Sequence, residues 1–285
     1  MLFLHVHDDL HVLAKGRRVL FSRRNPARRR TFVLPQEVTA LCGFGEVCLV
    51  ASGASCHVVT ACESVEACPN LGGVFCSREV RGTFSRRELR VYDVENALLY
   101  EHVFETPFVT PAAACDSSGC LLFDEGHEGP PLRVSRAGVE RTAFAPSVSC
   151  AAVSGREVIV SVYGHAPTRH LDGARAGGVN GSVHERHFYL KIDGALFHRA
   201  YYYGTELFVD THVMQPWPLA ISHKRMPGNP ALLGVHRGLL YFLRHGKLHV
   251  ESALGHDSLY GMYRLVADFY VGAPEIVRKI GEFLF

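Results

Sequence analysis

The sequence predicts an all-β protein: a β-propeller of six or seven four-stranded blades with a short C-terminal helix. Short apolar runs rich in Val, Leu, Phe and Tyr are cut by Gly, Pro, Asp and Ser, the pattern of strands and turns. A strand–turn–strand segment also recurs along the chain. Helical periodicity is scarce before residue 274. A β-sandwich or barrel is the alternative that the same strands allow.

Three segments carry the repeat: Pro35 to Gly53, Pro107 to Gly126 and Pro146 to Gly164. Each opens on a proline, which has no N–H to give a sheet and so suits the loop before a strand. A small-and-apolar strand follows (Val38 to Cys42, Val109 to Ala114, Val148 to Val153), then a turn carrying Gly45, Asp116 with Gly119, or Gly155. Glycine supplies the positive φ that tight hairpins demand. A second apolar strand then runs to the closing glycine. Glu88 to Asp93 with Leu98 to Phe104, Leu132 to Arg136 with Val139 to Phe144, and Phe188 to Asp193 with Leu196 to Tyr202 read as third and fourth strands. The prolines at 35, 69, 107 and 146 are spaced by 34, 38 and 39 residues, and Pro216 lies 70 further on.

Four strands at this period are the signature of a propeller blade, and 285 residues hold six or seven of them. A blade apolar on both faces buries them only against its neighbours. The expected organisation is one domain over residues 1–285, in which Met1 to Phe21 contribute two strands that pair with Gly238 to Val250. Residues 164–186, poor in apolar side chains and holding five glycines, read as a long loop insertion. Residues 274–285 read as an amphipathic helix opened by Pro274, with Ile276, Val277, Ile280, Phe283 and Leu284 on one face.

The blade pattern resembles the WD-repeat and kelch class of propellers, in architecture rather than in any one family. The Gly-His and Trp-Asp dipeptides of WD repeats and the repeated double glycine of kelch are absent, and Trp217 is the single tryptophan. The expected role on this architecture is a non-enzymatic scaffold that binds proteins through its faces and loops.

Charged residues make up 20 % of the chain and apolar ones 47 %, an ordinary globular composition without a run long enough to cross a membrane as a helix. The N-terminus lacks the pattern of a signal peptide. Nine cysteines, an odd number without a Cys-x-x-Cys pair, read as free, mostly buried thiols of an intracellular protein, cytoplasmic or nuclear. Cys56, Cys62, Cys68 and Cys76, spaced by 6, 6 and 8, fit no standard zinc knuckle, and no cofactor is expected. The Gly-x-Ser-x-Gly elbow, the phosphate loop and the dinucleotide fingerprint are all missing.

Two constellations remain. On one extended strand His5, His7, Asp9 and His11 would project to one side as a metal-ligand set. The motif resembles the His-x-His-x-Asp-His signature of metallo-β-lactamase-like hydrolases, echoed by His165, Asp193 and His256. That resemblance implies a metal-bound water as nucleophile. Leu10 stands where the motif's final histidine belongs, and the helices of that family have no counterpart between residues 12 and 160.

The second constellation is basic. The first 30 residues carry eight Lys or Arg against two Asp, whereas the remainder is net negative. Lys15, Arg17, Arg18, Arg23, Arg24, Arg28, Arg29 and Arg30 read as one charged turn and one charged loop. The seven arginines among them form the candidate partner-binding site, for an acidic protein surface or for RNA. The expected function is therefore an intracellular protein-interaction scaffold, with a metal-dependent hydrolase and an RNA-associated propeller as alternatives.

Overall fold

A computed structural model describes residues 1–23, 28–142, 147–155, 157–162, 167–171, 174–178, 188–194, 196–213 and 219–254. It divides into two compact units, Met1–Val183 and His184–Phe285. No helix occurs among the described residues, and the helix expected at 274–285 lies outside them.

The first unit holds five four-stranded antiparallel sheets, each a meander in chain order. The first sheet comprises β1 (Leu2–His7), β2 (Leu10–Lys15), β3 (Arg18–Arg23) and β4 (Arg28–Val33). In the second are β5 (Val38–Phe44), β6 (Val47–Ser52), β7 (Ser55–Val59) and β8 (Ser64–Pro69). The third contains β9 (Gly73–Cys76), β10 (Arg81–Phe84), β11 (Glu88–Tyr92) and β12 (Leu98–Val103). The fourth is built from β13 (Pro111–Cys115), β14 (Gly119–Asp124), β15 (Leu132–Ser135) and β16 (Gly138–Arg141). The fifth has β17 (Cys150–Ser154), β18 (Glu157–Ser161), β19 (Thr168–Leu171) and β20 (Ala174–Gly178). In the second unit, β21 (Phe188–Asp193), β22 (Leu196–Tyr203), β23 (Glu206–Val213) and β24 (Leu219–Met226) form a four-stranded sheet. The described strands β25 (Ala231–His236), β26 (Leu239–Arg244) and β27 (Lys247–Ser252) form a three-stranded one.

The second strands show why the sheets stack. Their unbroken apolar runs bury both faces, because successive side chains point to opposite sides of a strand. Cys48 and Val50 of β6 pack with Val12, Val19 and Phe21 of the first sheet. Leu49 and Ala51 of the same strand pack with Val74, Cys76 and Tyr92 of the third. Cys120 and Leu122 of β14 meet Phe75, Leu89 and Val91 of the third sheet, and Leu121 and Phe123 meet Val153, Val158 and Val160 of the fifth. In the second unit Leu207, Val209 and Met226 pack on Val235, Leu240 and Phe242. The outer strands are wetter: β4 is exposed except at Phe32, and β12 and β16 hold only half-buried and exposed positions.

The three aligned segments fold as first and second strands of the second, fourth and fifth sheets, so the repeat is structural. Pro35 and Pro107 precede those strands, and Pro146 lies outside the described residues. Three expectations are corrected. Leu2 to Val33 make a complete sheet alone, so Met1 to Phe21 do not wait for strands from Gly238 to Val250. The stretch 164–186 is not simply a loop, because β19 and β20 lie in it as third and fourth strands of the fifth sheet. Consequently Phe188 to Tyr202 begin the next sheet rather than ending one.

Candidate functional site

The basic run divides between the two ends of the first sheet. Lys15, Arg17 and Arg18 are exposed where β2 turns into β3. Arg17 also ties the chain as it leaves β4: its Nε donates to the Leu34 carbonyl at 3.0 Å, and its own carbonyl accepts from the Leu34 N–H at 2.8 Å. Arg18 and Arg23 are the first and last residues of β3, about 17 Å apart at the usual rise per residue. Arg23 stands opposite Arg28 in the register and is neutralised by Asp9 at 3.5 Å and by a hydrogen bond to Glu46.

Arg28, Arg29 and Arg30 are exposed along β4, the outermost strand of its sheet. Among the described residues the ion pairs of this sheet, His7–Asp8, Arg23–Asp9 and Arg23–Glu46, leave all three out. The Arg30 guanidinium lies over the Phe32 ring at 5.0 Å, and Phe32 meets Phe21 edge-to-face at 5.9 Å. Beside them is an open hollow of about 470 Å³ lined by Arg30, Phe32, Pro35, His57, Cys62 and Glu63. Burial holds the His57 imidazole below its ordinary range against the pull of Glu66, so it is uncharged at neutral pH. Arg24 lies outside the described residues.

The histidine motif does not assemble. It spans a hairpin rather than one strand, with Asp8 at φ 50° in the turn. His5 pairs with Val12 and His7 with Leu10, whereas His11 pairs with Val6 and so shares the other face of the sheet. His5 Nε2 is hydrogen-bonded to the Gly45 carbonyl at 2.8 Å, and Asp9 is the partner of Arg23. Asp193, a ligand in the hydrolase reading, accepts from the Gly238 N–H at 3.0 Å and lies 3.7 Å from His198. Desolvation raises its carboxyl pKa, but these partners win and hold it below its usual range. His165 and His256 lie outside the described residues.

Sequence reading missed the polar group inside the sixth sheet. His198, Arg199, Asp210, Thr211 and His212 are all buried on β22 and β23. Asp210 accepts hydrogen bonds from Arg199 and, at 2.5 Å, from His223 Nδ1, while His198 Nδ1 meets Thr211 Oγ1 at 3.0 Å. The signal was present as polar residues interrupting two apolar strands, LFHRAYYY and ELFVDTHV. Burial lowers the His212 pKa to about 4. The unfolded chain takes up a proton near pH 6.5 that the folded chain refuses, so this stabilisation is full above that pH and is lost as pH falls towards 4. Between pH 7 and pH 5 His212 is expected to account for about 2 kcal/mol of lost stability. Urea denaturation at both pH values, compared with His212→Gln, checks this. A variant with the same pH dependence as the parent overturns it.

No family model matches the chain, and no curated protein matches it. Solved structures do. A chain of a mitotic checkpoint complex superposes with a TM-score of 0.63 at 11 % identity, over 89 % of this chain and 87 % of that one. The computationally designed protein Ika8 superposes at 0.59 and 10 % identity, over 87 % and 95 %. Hsv2 of Kluyvelomyces marxianus does so at 0.54 and 7 % identity, over 77 % and 83 %. The fold is a β-propeller. At such identities the likeness concerns the architecture alone, which is the propeller expected from the repeat. The layered sheet and helices of metallo-β-lactamase-like hydrolases are a different arrangement. With His11 turned away from His5 and His7, the hydrolase reading is withdrawn.

Proposed function

We propose that this propeller is a non-enzymatic, intracellular scaffold that holds an acidic segment of a partner protein on β4. The observation that carries the reading is the placement of Arg28, Arg29 and Arg30 on an outermost strand, beyond the ion pairs of their sheet. Such a strand leaves one row of N–H and C=O groups for another chain to pair with. An extended acidic segment laid there would meet an arginine at successive positions. Nine cysteines that form no disulfide in this structure fit a reducing compartment. An RNA is the other anion this strand would attract, but aromatic side chains beside it are few, so base stacking adds little.

The test is Arg28→Gln/Arg29→Gln/Arg30→Gln against poly-L-glutamate and poly(U) at several salt concentrations. Stability is expected to change by no more than about 0.5 kcal/mol per site, as at other exposed positions. Binding to polyglutamate is expected to weaken at least about tenfold at low salt, and its salt dependence to flatten. Loss of poly(U) binding alone moves the assignment to RNA. Unchanged binding to both removes β4 as a binding strand.

A further inference from the structure

The packing between the second and third sheets holds a buried cation beside a pair of thiols. Arg81 on β10 is 8 % exposed. It stands between Cys76 on β9 and Tyr92 on β11, its register partners, so the three side chains share one face of the third sheet. Cys76 and Tyr92 pack there with Cys56 and Cys68 of the second sheet. Among the described residues Arg81 donates through Nη1 to Asn96 Oδ1 at 3.2 Å, its Nε has no hydrogen-bond partner, and no carboxylate forms an ion pair with it. The neighbouring Arg90 is different, because Glu101 neutralises it at 3.1 Å. A buried guanidinium without an anion is costly, since the charge has left water without compensation.

Burial pushes the Cys76 thiol up to about 12, so it keeps its proton. Cys68 behaves oppositely: the neighbouring Cys56 thiol, then the charges of Arg81 and Arg90, outweigh burial and lower its pKa. Cys56, whose Sγ donates to the Pro69 carbonyl at 3.9 Å, is raised by Cys68 and by burial. The two residues are direct partners in the β7–β8 register. Opposite residues of an antiparallel pair have Cα atoms about 4.5–5.5 Å apart, inside the range that a disulfide spans.

We propose that Cys56 and Cys68, paired across β7 and β8, form a peroxide-oxidisable dithiol, with the buried Arg81 as a positioning cation beside it. The Cys68 sulfur attacks the peroxide, the O–O bond breaks, and Cys68 becomes a sulfenic acid while the leaving oxygen departs as water or an alcohol. The Cys56 sulfur then attacks the sulfenic sulfur, forming the S–S bond and releasing water. The two thiols supply both electrons and both protons. The product staples the two outer strands of the second sheet across the face that meets the third.

The test uses the full chain with hydrogen peroxide, followed by blocking of free thiols and non-reducing peptide mapping. The expected product is a Cys56–Cys68 peptide pair two hydrogens lighter than the free peptides, with the other seven of nine thiols still free. In Cys56→Ser, a sulfenic acid trapped by dimedone is expected at Cys68. Alkylation of the unmodified protein is expected to run faster at Cys68 than at exposed Cys62 at pH 6, where an ordinary thiol is about 99 % protonated. Arg81→Gln is expected to slow oxidation about tenfold, and Arg81→Lys to restore part of it. Oxidation that links Cys42 to Cys115, whose sulfurs lie 3.6 Å apart, in preference to this pair overturns the proposal. So does alkylation of Cys68 no faster than that of Cys62.

Discussion

Asp210→Ala is expected to cost about 3–5 kcal/mol, the usual effect of removing one partner from a buried ion pair. Asp210 is 7 % exposed and faces Arg199, 3 % exposed, across the β22–β23 ladder. Its second oxygen accepts from His223 Nδ1 at 2.5 Å. With the carboxylate gone, the guanidinium stays in the sheet interior without its anion, and its desolvation is no longer offset. The carboxylate also joins β22 and β24 through β23, so the loss is local before it is global. Hydrogen exchange read by mass spectrometry should show faster exchange across Leu196 to Met226 than in the first unit. The double variant Arg199→Met/Asp210→Leu should recover much of the loss, because apolar groups of similar size remove the buried charges together. A single variant within 1 kcal/mol of the parent, with unchanged exchange, would mean that water reaches this pair.

How much of this was legible follows from where each element lies in its sheet. The second strands announce themselves because both faces are buried, so CLVA at 48–51 and CLLF at 120–123 read as strands from composition alone. Outer strands give a weaker signal, since half or more of their side chains meet solvent. Arg28 to Val33 is six residues of strand with little that is apolar, and Thr168 to Leu171 and Ala174 to Gly178 pass for loop. Missing the last two moved Phe188 to Tyr202 from the start of one sheet to the end of another.

The basic run shows a different limit. Neighbours in sequence separate when a strand lies between them, so Arg18 and Arg23 part while Arg23 and Arg28 meet. The histidine motif failed for the same geometrical reason, a turn at Asp8 and Asp9 where an unbroken strand was assumed. The pairing of Arg199 with Asp210 depends on which residues the β22–β23 register places opposite, and spacing along the chain does not reveal it.

Gly119→Ala tests the fourth sheet in the same spirit. Gly119 opens β14 opposite Ser135, with regular strand backbone, so its need for glycine is steric rather than conformational. A methyl group there would overlap the backbone carbonyl of Val134, which cannot swing aside as a side chain would. Relief requires parting β14 from β15, and with it the turn that Asp116 organises. Asp116 Oδ1 accepts from the N–H groups of Ser118 at 2.8 Å and Gly119 at 3.0 Å, and Oδ2 accepts from Arg133 Nη2 at 2.8 Å. The same guanidinium nitrogen reaches the Gly155 carbonyl of the fifth sheet at 2.9 Å. The expected loss is about 3 kcal/mol, the upper range for overpacking. Gly155→Ala is the matched comparison: its φ is +57° and nothing lies within 4 Å of a methyl, so it should cost only about 1–2 kcal/mol of left-handed strain. Thermal unfolding of the two variants should therefore rank Gly119→Ala well below Gly155→Ala. The reverse order would show that the β14–β15 ladder opens without resistance and that Asp116 does not hold this corner of the sheet.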